Sequence, residues 1–326
     1  MNEGLFQKLH AEGLLGDTSF ARLEQKRLNP RFSVFWEIKT LLYVGIILLT
    51  SGLGILVYKN IDSLSHIVIL LFIALVTAAC FVYCFRIKKP FSKDKVTSPS
   101  TFFDYILLLG AVSFLIFTGY LQYQYNVFGS NYGLATFIPM LVLFYLAYDF
   151  DHIGILNMAI VNLGIWMGVS VTPKNLLLSY TFDSQSIILT YFGFSLLLLA
   201  GAWLTQKFKV KPHFKFSYYH YGMHVCIISL LAGYFYNYDS GFCMLYMLGA
   251  FTFMIVIYRD SFKQKNLYFL VCISLYAYFA ISALVTRFFI KMPDEGAFTL
   301  LLFYFIGSAI GFVFFLINLN KKLKAA

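Results

Sequence analysis

The feature that most constrains this chain is a series of apolar runs, each about 17 to 25 residues long and each broken by a charge or turn cluster. A run of that length, helical at ~1.5 Å per residue, crosses the ~30 Å hydrocarbon layer of a bilayer. Ten such runs are predicted, at 38–58, 64–85, 102–122, 133–149, 152–171, 186–205, 216–236, 241–258, 267–290 and 297–318. A soluble core could not absorb them: the 326 residues are 60% hydrophobic and only 12% charged, against about 25% charged in ordinary soluble domains. The expected fold is therefore an all-α polytopic membrane protein of about ten transmembrane helices.

Basic residues set the expected threading. The net charge of +10 would suggest nucleic acid in a soluble chain, but here lysine and arginine fall between the apolar runs. All of the 25 basic residues except Lys59, Lys174, Arg287 and Lys291 fall on one side of the ten-span threading. Lysine and arginine resist translocation, so that side is expected to be cytoplasmic and both termini to be inside, N-in/C-in. No nucleic-acid partner is implied; the partner implied by composition is the lipid bilayer. Tyrosine clusters such as YLQYQY (120–125) fall at predicted span ends, as an interfacial aromatic belt requires.

The first apolar run begins near Leu41, too late for a secretory signal peptide, so the first span is expected to stay in the membrane. Before it, residues 4–30 read as two short helices. Leu5, Phe6 and Leu9 stripe the first, Gly13 can end it, and Asp17 is placed to cap the second, which stops at Asn29-Pro30. The expected organisation is a cytoplasmic helical hairpin and linker over 1–35, a helical bundle over 36–320 and a basic cytoplasmic tail over 321–326. The hairpin's apolar face must cover the bundle's inner loops, the headgroup layer or a partner protein.

The stretch LHAEGLLGDTSFARLE, followed after a basic linker by the glycine-punctuated span LLYVGIILLTSGLGILVYKN (41–60), resembles a bacterial inner-membrane family of unknown function. Its members carry a short helical N-terminal segment before a multi-span bundle. The resemblance covers about the first 85 residues and implies a bacterial inner-membrane location; it carries no activity and no catalytic residues.

Polar residues inside the spans are the candidates for chemistry. His220 and His224 lie four apart in the seventh span, the spacing by which two imidazoles share a metal. The competing expectation is that their ring nitrogens bond a backbone carbonyl or one of Tyr218, Tyr219 and Tyr221. Asp149, Asp151 and His152 crowd the connection between the fourth and fifth spans, the inner loop without lysine or arginine. They can complete a divalent-metal site with the two histidines, or cap the fifth helix. Asp104 opens the third span, with Thr101 three residues ahead in the pattern of a capping box. With His220 these acids and His152 form an expected polar vestibule at the inner end: Asp104, Asp149, Asp151, His152, His220.

Other features read as structural. Arg259-Asp260 is an interfacial charge pair, Arg287 can snorkel to the outer surface, and Asn157 and Asn162 can bond between helices. GSAIG (307–311) gives the small-xxx-small spacing of a close helix seam, within the chain or in a homo-oligomer or complex with another membrane protein. Of the five cysteines only Cys243 falls near an outer span end, and none forms a CxxC pair. P-loop, GxGxxG, HExxH and serine-elbow patterns are absent, which leaves nucleotide-driven chemistry without support.

Short loops leave the bundle interior as the place of action, so the first expectation is a transporter-type bundle for a small solute or lipid. A scaffold or sensor subunit acting through a partner is the alternative. A third class is a membrane-embedded metal-dependent hydrolase, suggested by HxxxH, although the additional serine and histidine motif of such enzymes is missing.

Overall fold

The computed structural model describes residues 10, 12–14, 16, 19–20, 35–59, 66–129, 132–171, 185–291 and 296–325. It divides into two compact units, Met1–Ser65 and His66–Ala326. The first contains helix α1 (Phe35–Lys59). Ahead of α1, Gly13 takes φ +73°, the left-handed conformation that ends a helix, and the ring of His10 stacks on Phe20 at 4.2 Å. The expected stripe Leu5, Phe6 and Leu9, the expected cap Asp17 and the expected stop at Asn29-Pro30 lie outside the described residues.

The second unit is built from α2 (His66–Ile87), α3 (Thr101–Tyr125), α4 (Tyr132–Phe150), α5 (Ile153–Val171), α6 (Gln185–Lys207), α7 (Lys215–Tyr236), α8 (Cys243–Lys263), α9 (Leu267–Ile290) and α10 (Gly296–Ala325), with a 3-10 turn at Pro212–Phe214. The described secondary structure is entirely helical, and among the described residues eight helices are long and apolar enough to cross a membrane. Within α1 the described residues Thr40–Gly52 form a continuous apolar stretch. Helix α7 is less apolar than its neighbours, because it carries Ser217, Tyr218, Tyr219, His220, Tyr221 and His224, and ten of its 22 residues are buried.

Two cores meet on α7. One joins α2 to α7 through Leu107, Leu143, Ile155, Leu156, Leu198 and Tyr218; the other joins α7, α8 and α9 through Met223, Ile227, Tyr234, Met247 and Ile273. Lipid tails are as apolar as these side chains, so close van der Waals contact rather than water exclusion must hold the helices together. Glycines permit that contact. A methyl group on Gly110 of α3 would sit 2.9 Å from Cβ of Cys80 on α2, and one on Gly233 of α7 would strike the ring of Tyr246 on α8. GSAIG behaves differently: methyl groups on Gly307 and Gly311 of α10 meet no atom within 4 Å. Contacts of α10 with α9 run instead through Ser308 to Tyr278 and Tyr304 to Ser282.

Side-chain bonds fix which loops share an end. Lys88 bonds Asp149 and Lys211 bonds Asp151, which brings the α2–α3, α4–α5 and α6–α7 connections together. Tyr268, at the start of α9, reaches His220 near the start of α7. Lys88, Lys93, Lys95, Lys209 and Lys211 therefore gather at one end of this unit, as the charge pattern requires. At the other end Arg287 of α9 donates to Cys243 Sγ at the start of α8 and lies 4.3 Å from the Tyr238 ring, so it is held by protein groups. Asp260 accepts from Gln264 at 2.7 Å.

Candidate functional site

Helix periodicity puts His220 and His224 on one face of α7, and the structure sets that face against α9. Tyr268 OH lies 2.8 Å from His220 Nδ1 and 3.2 Å from His224 Nε2. Tyr276 OH lies 2.8 Å from His224 Nδ1, and the two imidazole centroids are 4.6 Å apart. The result is a continuous chain, His220–Tyr268–His224–Tyr276. The phenols come from α9, eight residues apart, rather than from the neighbouring Tyr218, Tyr219 or Tyr221. Tyr218 instead meets Tyr148 of α4 at 3.0 Å. Sequence reading missed Tyr268 and Tyr276, although in Leu267–Ile290 the two tyrosines fall about two helical turns apart and near one face of the helix.

The acidic turn is a separate constellation. Asp151 sits at φ 57° between α4 and α5, a left-handed position that aspartate tolerates because its short side chain bonds locally. Its carboxylate accepts from Lys211 Nζ at 3.1 Å, His213 Nε2 at 2.5 Å and the Val96 amide at 2.5 Å. The Lys211 and Asp151 side chains are 0% and 1% exposed, so this is a fully desolvated ion pair whose geometry must offset a large solvation loss. Lys211 also takes φ 48°, donates its backbone N–H to Lys93 O at 2.7 Å, and places Nζ 3.3 Å from Asp94 O and 5.1 Å from the Phe91 ring. Asp149 pairs with Lys88 at 2.7 Å. Neither acid caps α5; that place is taken by His152, whose Nδ1 accepts from the Ile155 amide at 3.2 Å. Lys211 and His213 were legible only as a basic inner loop, because charge alone does not tell a topology signal from a buried partner.

Asp104 also departs from expectation. The N-cap of α3 is Ser100, whose Oγ accepts from the Phe103 amide at 3.1 Å, so Thr101 is not the cap. Asp104 Oδ1 is buried with no hydrogen-bond partner. Among the described residues no group of three or more His, Cys, Asp or Glu side chains is arranged to hold a metal ion. His220 and His224 engage tyrosines, and Asp149 and Asp151 engage lysines and His213; the five candidate ligands are not gathered into one donor set.

Between α3, α4 and α5 lies a cavity of about 490 Å³, reached on one side by Tyr221 of α7. Thr118, Thr136, Asn157 and Asn162 supply its polar groups, and no Lys, Arg, Asp or Glu lines it. Asn157 Oδ1 is buried without a partner. Pro139, inside α4, has no N–H for the carbonyl four residues back, that of Ala135, and both residues line the cavity. Two acceptors therefore lack their ordinary donors in one place. Asn162 is ten residues into the 19-residue helix α5, which puts the cavity at its middle. The two asparagines were expected to bond across helices; they face a space instead.

Residues 2–155 match a family model described as predicted membrane protein (DUF2157). The match runs from the N-terminal segment through α1 to α4 and ends just past the Asp151 turn, well beyond the first 85 residues. Lys211, His213, His220 and His224 lie outside it. No curated protein matches the chain, and no solved structure does. Family description and helix composition agree that this is an integral membrane protein embedded in a bilayer.

Proposed function

We propose that this membrane protein is a transporter-type bundle that carries a small uncharged solute through the α3–α4–α5 cavity. The observation that carries the reading is the unpartnered Asn157 oxygen in a cavity also lined by Ala135, whose carbonyl Pro139 leaves without its helical donor, in the middle of a membrane-spanning unit. A buried acceptor without a donor costs about 1–3 kcal/mol, a cost that a hydrogen-donating ligand would remove. Lack of ionised lining residues favours a neutral solute, since an unpaired charge there would be far more costly to bury. Below the cavity, the Asp151–Lys211–His213 cluster ties three connections together and would close that end, the cytoplasmic one if the positive-inside rule holds in the bacterial inner membrane we infer for it.

Stopped-flow light scattering on proteoliposomes, with glycerol and urea as neutral probes and chloride salts as charged ones, tests this. Protein-dependent equilibration of a neutral probe, slowed several-fold by Asn157→Leu, supports it. Equal rates in protein-free vesicles across the panel, or faster passage of salts alone, would refute it.

A second reading, a scaffold or homo-oligomer meeting a partner through α10, is favoured by that helix's lack of buried residues across its most apolar window and by the open Gly307 and Gly311. Site-specific crosslinking from Gly311→Cys, giving a chain dimer or a defined heteromer, supports it; monomer alone counts against it.

A further inference from the structure

The His220–Tyr268–His224–Tyr276 chain ends at a second cavity, separate from the one that Asn157 lines. It holds about 550 Å³ between α7 and α9, with His224, Tyr276 and Cys272 at its polar head. Ile228, Leu231 and Phe235 of α7 and Phe279 of α9 wall the rest, which extends ~16 Å along α7 from His224. No ionised side chain lines it. Tyr276 is nine residues into α9, ~14 Å from its start, and so near the middle of a ~30 Å hydrocarbon layer.

The hydrogen bonds of the chain allow two self-consistent proton orders when both imidazoles are neutral. Tyr268 has one hydroxyl hydrogen, and when it donates that hydrogen to one imidazole it accepts from the other. If it donates to His220, it accepts from His224 Nε2–H, and the bare His224 Nδ1 takes the hydrogen of Tyr276. If it donates to His224 Nε2, His224 Nδ1 carries the hydrogen and donates to Tyr276. In that second order the Tyr276 hydroxyl hydrogen is left over at the cavity head. Reversal of order links Tyr268, at the basic end of the helices, to a donor at mid-membrane depth.

We propose that the α7–α9 cavity is a binding site for a lipophilic quinone, whose ring carbonyl accepts a hydrogen bond from Tyr276 while its apolar tail lies between Ile228, Leu231, Phe235 and Phe279. Depth selects this class. A phospholipid can fill the groove with an acyl chain, but its charged headgroup stays at the interface, ~14 Å from the phenol, and offers Tyr276 no acceptor at that depth. A quinone places an uncharged acceptor in the hydrocarbon itself, and a carbonyl there selects the second proton order. The site stands on its own observations and does not depend on transport through the other cavity.

Photolabelling tests it, with a photoreactive decyl-benzoquinone applied to the full chain in lipid nanodiscs and the adduct mapped by peptide mass spectrometry. Expected are labels on α7 and α9 peptides within 224–235 and 272–279, displaced by unlabelled decyl-benzoquinone and untouched by dodecane. Tyr276→Phe keeps the ring and removes the hydroxyl, and should lower labelling about 3- to 10-fold, the effect of one neutral hydrogen bond. Ala232→Phe, which fills the groove without touching the chain, should abolish labelling while helix content by circular dichroism is retained. Labelling elsewhere only, displacement by dodecane as readily as by quinone, or Tyr276→Phe and Ala232→Phe both labelling like wild type would overturn the assignment.

Discussion

The desolvated Asp151–Lys211 pair makes the most quantitative prediction. At 3.1 Å and an effective dielectric of ~20, the attraction is about 5 kcal/mol, most of it offset by the desolvation of both groups. Lys211→Met preserves the stem over Phe91 but strands a carboxylate that is 1% exposed, leaving it the Val96 amide and His213. Asp151→Asn tolerates the positive φ of this turn and strands the ammonium with the Asp94 carbonyl. Each single change should destabilise the protein by about 3–5 kcal/mol, as removal of one partner from a buried pair does. The double variant removes both charges, so it should lose only about 1–3 kcal/mol, a coupling of at least ~3 kcal/mol. Equilibrium unfolding in mixed micelles, followed by helical circular dichroism, measures the cycle. Additive losses would mean that the two groups do not form a desolvated pair, and the account of this end as a locked junction of three connections would fail.

Three further outcomes are expected. Gly233→Ala should destabilise by about 1–3 kcal/mol because its methyl meets the Tyr246 ring, whereas Gly307→Ala, open on its face, should change stability by less than ~0.5 kcal/mol in the same unfolding assay. Elemental mass spectrometry of purified wild type and His220→Ala/His224→Ala should find no stoichiometric zinc or iron in either, since the tyrosines engage His220 Nδ1 and both ring nitrogens of His224; metal lost with the double variant would make the pair a metal site after all. Single cysteines at Lys93 and Lys209 in intact cells should react with permeant maleimide and resist an impermeant one, while Asp239→Cys reacts with both; the reverse pattern would invert the threading.

The spans were legible because a ~20-residue apolar run has few other uses, and the positions agree closely. Residues 102–122 became Thr101–Tyr125 and 267–290 became Leu267–Ile290. Ends shifted where charged residues stay helical beyond the apolar run. Helix α8 runs through Arg259 and Asp260 to Lys263, and α10 carries Lys321 and Lys322 to Ala325. Partners were less legible, because an ionisable residue announces its cost but not the side chain that offsets it. Asp151 could be suspected; that Lys211, sixty residues on, is its counter-ion depends on a fold-level meeting of loops. The same holds for His224 and Tyr276. The central cavity left the weakest trace, since Asn157, Asn162 and Pro139 are individually ordinary in membrane helices and gain meaning only when α4 and α5 set them around one space.

The most direct test of the central claim, a polar cavity at mid-membrane depth, is thiol accessibility of Asn162→Cys in a background lacking the five native cysteines. Leu196→Cys, at similar depth on the exposed face of α6, serves as control. The account predicts that a small charged methanethiosulfonate modifies position 162 at least ~10-fold faster than position 196, because thiolate forms where water and polar groups reach. Equal inertness at both positions would mean that the space between α3, α4 and α5 is closed to water, and the transport reading would not survive it.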